Sequence, residues 1–263
     1  HAAPTAHLGR LGEYQVWDAL HLPENARFRM SRPGPATRLR ARLAEALGLP
    51  VPGWVLRWRL QEAPARYFAY FDGLLSRPGI TVTGDVSPGY NRLPAPRLAE
   101  IDAAMAARGI ETRAVLLLRD PIERAWSGLR MERRKGRLPE DRDDAAIFRD
   151  RYVAARAPAN TPSYAASLAA LEAAFPPERR RVWLYEELFE AETIAQISEW
   201  LGLPARTGAG ARRVNAAASR ADLPPALAAE AAAYFVTDFE ATCARRPAAR
   251  QLWPNAAPLA AAG

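Results

Sequence analysis

The chain has 263 residues, 49% hydrophobic and 25% charged, an ordinary globular composition with enough chain for a sizeable core, which excludes disorder as its main state. Arg, Glu or Asp interrupts every Ala/Leu-rich stretch, so no apolar run reaches the roughly 18 residues that span a bilayer, which excludes stable membrane insertion. The net charge of +7 points to an anionic partner, whether nucleotide, nucleic acid, sulfated sugar or membrane surface, without choosing among them.

Lys135 is the one lysine, so arginine carries nearly all the positive charge. Cys243 is the one cysteine; it can form no internal disulfide, and a reducing cytoplasm is the expected compartment. The chain starts at His1 without a signal-peptide pattern and is expected to be a fragment.

In chain order, the stretch 27–38 is rich in Arg, Pro and Gly and need not be ordered. Helical patterns are expected over 38–47, over 63–75 with its YFAYF stripe, and over 98–108. Strands are expected at 80–83 (ITVT), 114–118 (AVLLL) and 182–185 (VWLY). Further helices are expected over 121–134, 164–175, 191–201 with Gly202 as a stop, and 225–243. The continuous apolar character of the strands predicts a parallel sheet covered on both faces. The alternation of strand and helix predicts one α/β domain over 1–250, followed by a Pro/Ala-rich tail at 251–263.

The most informative segment is 114–131, AVLLLRDPIERAWSGLRM. An apolar strand ends in Arg119 and Asp120, Pro121 opens a helix, and Arg124 and Ser127 follow at one-turn spacing. Free amides at the helix start, with the Arg119 guanidinium and the Ser127 hydroxyl, predict a phosphate site. Read as an isolated tripeptide, RDP is better taken as an Arg–Asp pair capping an ordinary helix; the whole eighteen-residue pattern favours the phosphate site. A second segment, GDVSPGY at 84–90, is a turn at a strand's C-terminal end, where open α/β sheets place their ligands.

The 114–131 segment resembles the 3′-phosphate-binding element of the nucleotide-dependent sulfotransferases, specifically the bacterial and heparan-sulfate-type branch. Arg119, Asp120, Pro121, Arg124, Ala125 and Ser127 match the RDPxxRAxS pattern position by position. The resemblance implies a P-loop nucleotide-kinase-like α/β fold. It also implies that Arg119 and Ser127 hold the 3′-phosphate of 3′-phosphoadenosine 5′-phosphosulfate (PAPS). GDVSPGY is similar to the family's substrate-facing segment, which makes Ser87 and Tyr90 acceptor contacts. WLYEEL at 183–188, followed by WLGLP, is similar to an architectural part of the family.

GEYQVWD at 12–18 resembles the family's Lys-Glu segment. It makes Glu13 the base that takes the acceptor's proton and places Trp17 toward the acceptor, while Gly12 stands where a lysine is expected. Tyr164 in PSYAASL sits like a residue lining the nucleotide site, and Arg212 and Arg213 lie in a Gly/Arg loop that the family closes over the nucleotide. The family's first strand and its GxxKxGTT loop have no counterpart in this sequence.

The implied reaction is in-line sulfuryl transfer from PAPS to a hydroxyl or amine of a carbohydrate or small-molecule acceptor, releasing adenosine 3′,5′-bisphosphate. Two alternatives are a non-catalytic anion-binding protein on the same fold, and another nucleotide-dependent transferase or kinase that needs a magnesium-holding carboxylate, with Asp85 and Asp120 as candidates. A nucleic-acid-binding module rests on net charge alone, and the runs 130–137 and 179–181 read as solvated helix ends without interleaved aromatics, so no nucleic acid is expected. Trp54, Trp58, Tyr67, Phe68, Tyr70 and Phe71 read as core or pocket wall. His1, His7 and His21 lack metal-ligand spacing, so no metal is expected. The sequence leaves the oligomeric state open.

Overall fold

The computed structural model describes residues 4–154, 163–204 and 223–256. Its helices are α1 (Trp17–His21), α2 (Pro35–Ala46), α3 (Gly53–Glu62), α4 (Pro64–Leu75) and α5 (Ala95–Ala106), then, after strand β1 (Ala114–Leu118), α6 (Pro121–Arg134), α7 (Asp144–Tyr152) and α8 (Tyr164–Ala174). Strand β2 (Arg180–Leu184), α9 (Ala191–Trp200), α10 (Pro225–Arg245) and α11 (Ala249–Leu252) complete the order. Proline occupies the first or second position of α2, α4, α5, α6 and α10, where its fixed φ suits the helix and its missing N–H leaves no bond unmade.

Where the sequence reading expects one α/β domain, the chain divides into two compact units, His1–Arg113 with Ala195–Arg206 and Ala114–Ile194 with Thr207–Gly263. The first is helical around an aromatic core of Tyr14, Trp17, Trp58, Tyr67, Phe68 and Phe71. Trp17 meets Tyr67 edge-on with ring centroids 5.3 Å apart. Trp54, read from sequence with these aromatics, is instead 44% exposed.

In the second unit β1 and β2 pair in parallel, from Ala114 opposite Arg180 to Leu118 opposite Leu184. Helix α10 packs against α6, α7 and α8, burying Phe235 and Phe239. Two expectations for the strands change. The ITVT segment forms one parallel bridge, Val82 to Ala6, in place of a strand, because among the described residues only a short partner lies beside it. And β1 is buried on one face only: Leu116 and Leu118 face inward while Val115 and Leu117 are exposed.

The start of the Pro/Ala-rich tail is packed as far as residue 256. Trp253 is buried, its ring near those of Tyr164 and Phe239, and its indole N–H donates to Glu186 Oε2 at 3.0 Å. Apolar burial of an indole outweighs the ordering cost of the few residues that carry it.

Candidate functional site

Each unit holds one cluster of the residues singled out from sequence. In the first unit, four consecutive backbone amides point at two hydroxyls. Tyr14 and Gln15 donate to Ser87 Oγ, both at 3.0 Å, and Val16 and Trp17 donate to the Tyr90 hydroxyl at 3.3 and 3.4 Å. Ser87 in turn donates to Asp85 Oδ1 at 2.6 Å and Tyr67 donates to Asp85 Oδ2 at 3.0 Å, while the Tyr90 hydroxyl bonds the same carboxylate. Burial pushes the Asp85 carboxyl above its ordinary value, and these hydroxyls oppose that rise. The buried charge is thus solvated by hydroxyls that are themselves polarised by amides.

The segment so held carries Glu13. Gln15 has φ +52°, a left-handed backbone that a side chain adopts at a cost of about 1–2 kcal/mol. Its carbonyl accepts from Gln61 Nε2 at 2.7 Å, and its own side-chain amide donates to Glu13 Oε2 at 2.9 Å. Arg57 donates to the Glu13 carbonyl at 2.6 Å. Glu13 is therefore an exposed carboxylate of fixed direction, able to accept a proton from a molecule in solvent.

Ser87, Tyr90 and Trp17 gather beside the Glu13 segment, and Tyr90 is half-buried. Ser87 is buried with its hydroxyl engaged, and Trp17 is buried with its indole nitrogen unpartnered. Of the residues that hold the segment, Gln15 and Gln61 are not site residues in the sequence reading, and Asp85 figures there only as a magnesium candidate. The signal for Gln61 is that it is a buried amide beside the buried Leu60 and must bond something.

In the second unit the cluster lies where β1 runs into α6. Asp120 is fully buried and caps α6: Oδ1 accepts from Ile122 N at 2.9 Å and Glu123 N at 3.2 Å. Its Oδ2 accepts from the backbone and side-chain nitrogens of Asn255 at 3.2 and 3.0 Å. Burial raises the Asp120 carboxyl, against the pull of these bonds. The free helix-start amides expected from sequence are accordingly absent, because the chain's own carboxylate occupies them.

What remains for an anion is side chains. The Arg119 guanidinium is 30% exposed, 3.3 Å from Glu123 Oε2 and 5.4 Å from the Tyr185 ring centroid. Tyr164 is buried, with Arg124 stacked 4.2 Å over its ring, and its hydroxyl grips the Arg119 backbone. Ser127 is exposed, about 9 Å along the axis from Pro121, on the face shared with Arg124. Beside Glu123, an open surface depression is lined by Leu223, Pro225, Ala228, Ala232 and Asn255. Arg212 and Arg213 lie outside the described residues.

Among the described residues, no three His, Cys, Asp or Glu side chains gather as a metal ion would require, and no helix is long and apolar enough to cross a membrane. No family model matches the chain, and no curated protein matches it. The fold is similar to that in the crystal structure of a sulfotransferase from Alicyclobacillus acidocaldarius, with a TM-score of 0.56 and 18% identity over 92% of this chain and 85% of that one. At that identity the likeness is one of fold.

Proposed function

We propose that this chain transfers a sulfuryl group from PAPS to a hydroxyl or amine of a carbohydrate or small-molecule acceptor, releasing adenosine 3′,5′-bisphosphate. The observation that carries the reading is Arg119: a partly exposed guanidinium at the end of β1, its backbone gripped by Tyr164, inside a segment matching RDPxxRAxS. The sulfotransferase-like fold supports it.

The residues at the phosphate end fit the group. Arg119 supplies a planar charged donor pair for a phosphate, and Ser127 an exposed hydroxyl. Tyr164 acts through Arg119 as a positioning residue, with Arg212 and Arg213 as further contacts. When bound, PAPS supplies an activated sulfuryl group whose loose transfer geometry makes positioning and charge stabilisation the main needs. Glu13, turned by Gln15, takes the proton of the acceptor. Ser87 and Tyr90 bear on the acceptor by holding the Glu13 segment.

A non-catalytic anion-binding reading is favoured by one observation, Gly12 at the family's lysine position. The kinase reading is less favoured: Asp85 accepts from three hydroxyls and Asp120 from four N–H donors, which leaves few lone pairs for a magnesium ion.

The test is a thermal-shift and calorimetric titration with adenosine 3′,5′-bisphosphate against ADP. Selective stabilisation by the bisphosphate, weakened about tenfold or more by Arg119→Ala, is the expected result; no binding of either nucleotide overturns the reading. Turnover of labelled PAPS that Glu13→Gln abolishes, with bisphosphate affinity kept, separates transfer from mere binding.

A further inference from the structure

Helix α2 has two apolar sides. Ala41 is buried and Ala44 packs on the core of the first unit, as a surface helix requires. On the opposite side Leu39 and Leu43, one turn apart, are 58% and 56% exposed. The helix then closes in a Schellman turn: Gly48, at φ +67°, donates to Glu45 O at 2.9 Å and Leu49 donates to Ala44 O at 2.7 Å. That turn folds Leu49 back toward the end of the leucine row, and Leu47 and Leu49 are 73% and 56% exposed. Four leucines on one short element exceed the scattered apolar exposure normal for a soluble surface.

The charge around them has one sign. Residues 25–44 contain six arginines (Arg27, Arg29, Arg32, Arg38, Arg40 and Arg42) and neither Asp nor Glu. By helical rotation Arg40 and Arg42 flank the leucine row on its two sides. The nearest acid in sequence, Glu45, is ion-paired with Arg59, so it does not offset them. The element is also a prominence: residues 45–50 are exposed without exception.

We propose that α2 is a peripheral docking element for an anionic lipid surface, on which the four leucines enter the headgroup boundary and Arg40 and Arg42 meet lipid phosphates. An interfacial helix has this composition, apolar on one side and arginine-flanked, its aliphatic stems lying along the apolar zone while the charges stay wet. A second copy of the chain is disfavoured as the occupant, because pairing two leucine rows would bring the flanking arginines of both copies together.

The test is co-sedimentation of the full chain with vesicles of phosphatidylcholine alone and of an equal mixture of phosphatidylcholine and phosphatidylglycerol. Binding is expected to the mixture, weakening as salt rises. The exposed pair Leu39→Ser with Leu43→Ser is expected to reduce it about tenfold or more, as is Arg40→Glu with Arg42→Glu, with thermal unfolding unchanged. No sedimentation with the mixed vesicles overturns the proposal, as does binding indifferent to the leucine pair. Self-association in sedimentation equilibrium that the leucine pair abolishes would assign the row to a second copy and overturn it equally.

Discussion

The Tyr164 hydroxyl engages both backbone polar groups of Arg119, donating to its carbonyl at 2.9 Å and accepting from its N–H at 3.3 Å. One buried phenol thus fixes the residue at which the strand ends and the helix turn begins. Burial raises the Tyr164 hydroxyl above its ordinary value, so it stays protonated and able to donate throughout the physiological range. Tyr164→Phe leaves both Arg119 groups without that partner, and a loss of about 1–3 kcal/mol is expected. Urea unfolding measures it. Weaker bisphosphate binding alongside is expected if Arg119 holds the phosphate.

Glu123 competes with any anion for Arg119. The two side chains are one turn apart, 3.3 Å between charged atoms, and each is about one-third exposed. Pairs of this kind are worth about 0.2–1 kcal/mol. Glu123→Gln removes the competing charge, so bisphosphate affinity is expected to rise up to about fivefold, with calorimetry at low salt as the measurement. Unchanged or weaker binding would place the phosphate away from this guanidinium.

The parts legible in the sequence were those fixed by near neighbours. Helix α6 begins where Pro121 and the apolar strand before it put it, because proline at the first position and a preceding aspartate are local signals. Helix α3 was not legible: GWVLRWRLQE alternates apolar and polar residues much as a strand does, and tertiary burial of Leu60 and Gln61 decides for helix. ITVT had the propensity but lacked a strand-length partner among the described residues.

At the candidate site the same division holds. The hydroxyls of GDVSPGY were visible at the end of an extended segment. Their partners, the amides of residues 14–17, lie more than 70 positions away in sequence. The Asp120 to Asn255 bonds span 135 positions. Spacing cannot register such pairings, which is why RDP read as an open phosphate cradle while its aspartate was closing the helix itself.

Gly89 is required by a close approach. A Cβ there would stand 2.2 Å from Asp18 Oδ2 and 2.7 Å from Asn25 Nδ2, and both side chains are buried and bonded to each other at 3.1 Å. Gly89→Ala must displace that pair or the turn carrying Tyr90, at an expected cost of about 1–3 kcal/mol. Thermal unfolding reads it; a neutral variant would show that the turn yields freely.

Asp18 makes stability depend on pH with a definite sign. Its carboxyl is buried, and its Oδ2 accepts from Asn25. Burial raises it above the ordinary aspartate value of 3.8, with the charge of Glu13 adding to the rise. The folded state therefore holds this proton to higher pH than the unfolded chain does. Its contribution is fully present below pH 3.8 and is lost as the pH rises through the folded-state value. Asp18→Asn removes the charge that must be desolvated while keeping an oxygen for Asn25 to bond. Relative to the unsubstituted chain, the variant is expected to gain stability from pH 3.5 to pH 7, the gain levelling off once Asp18 is ionised in the folded state (the two pH values chosen to lie roughly either side of the transition). Chemical unfolding at the two ends of that window checks the sign. A difference independent of pH would mean that Asp18 titrates alike in the folded and unfolded chain.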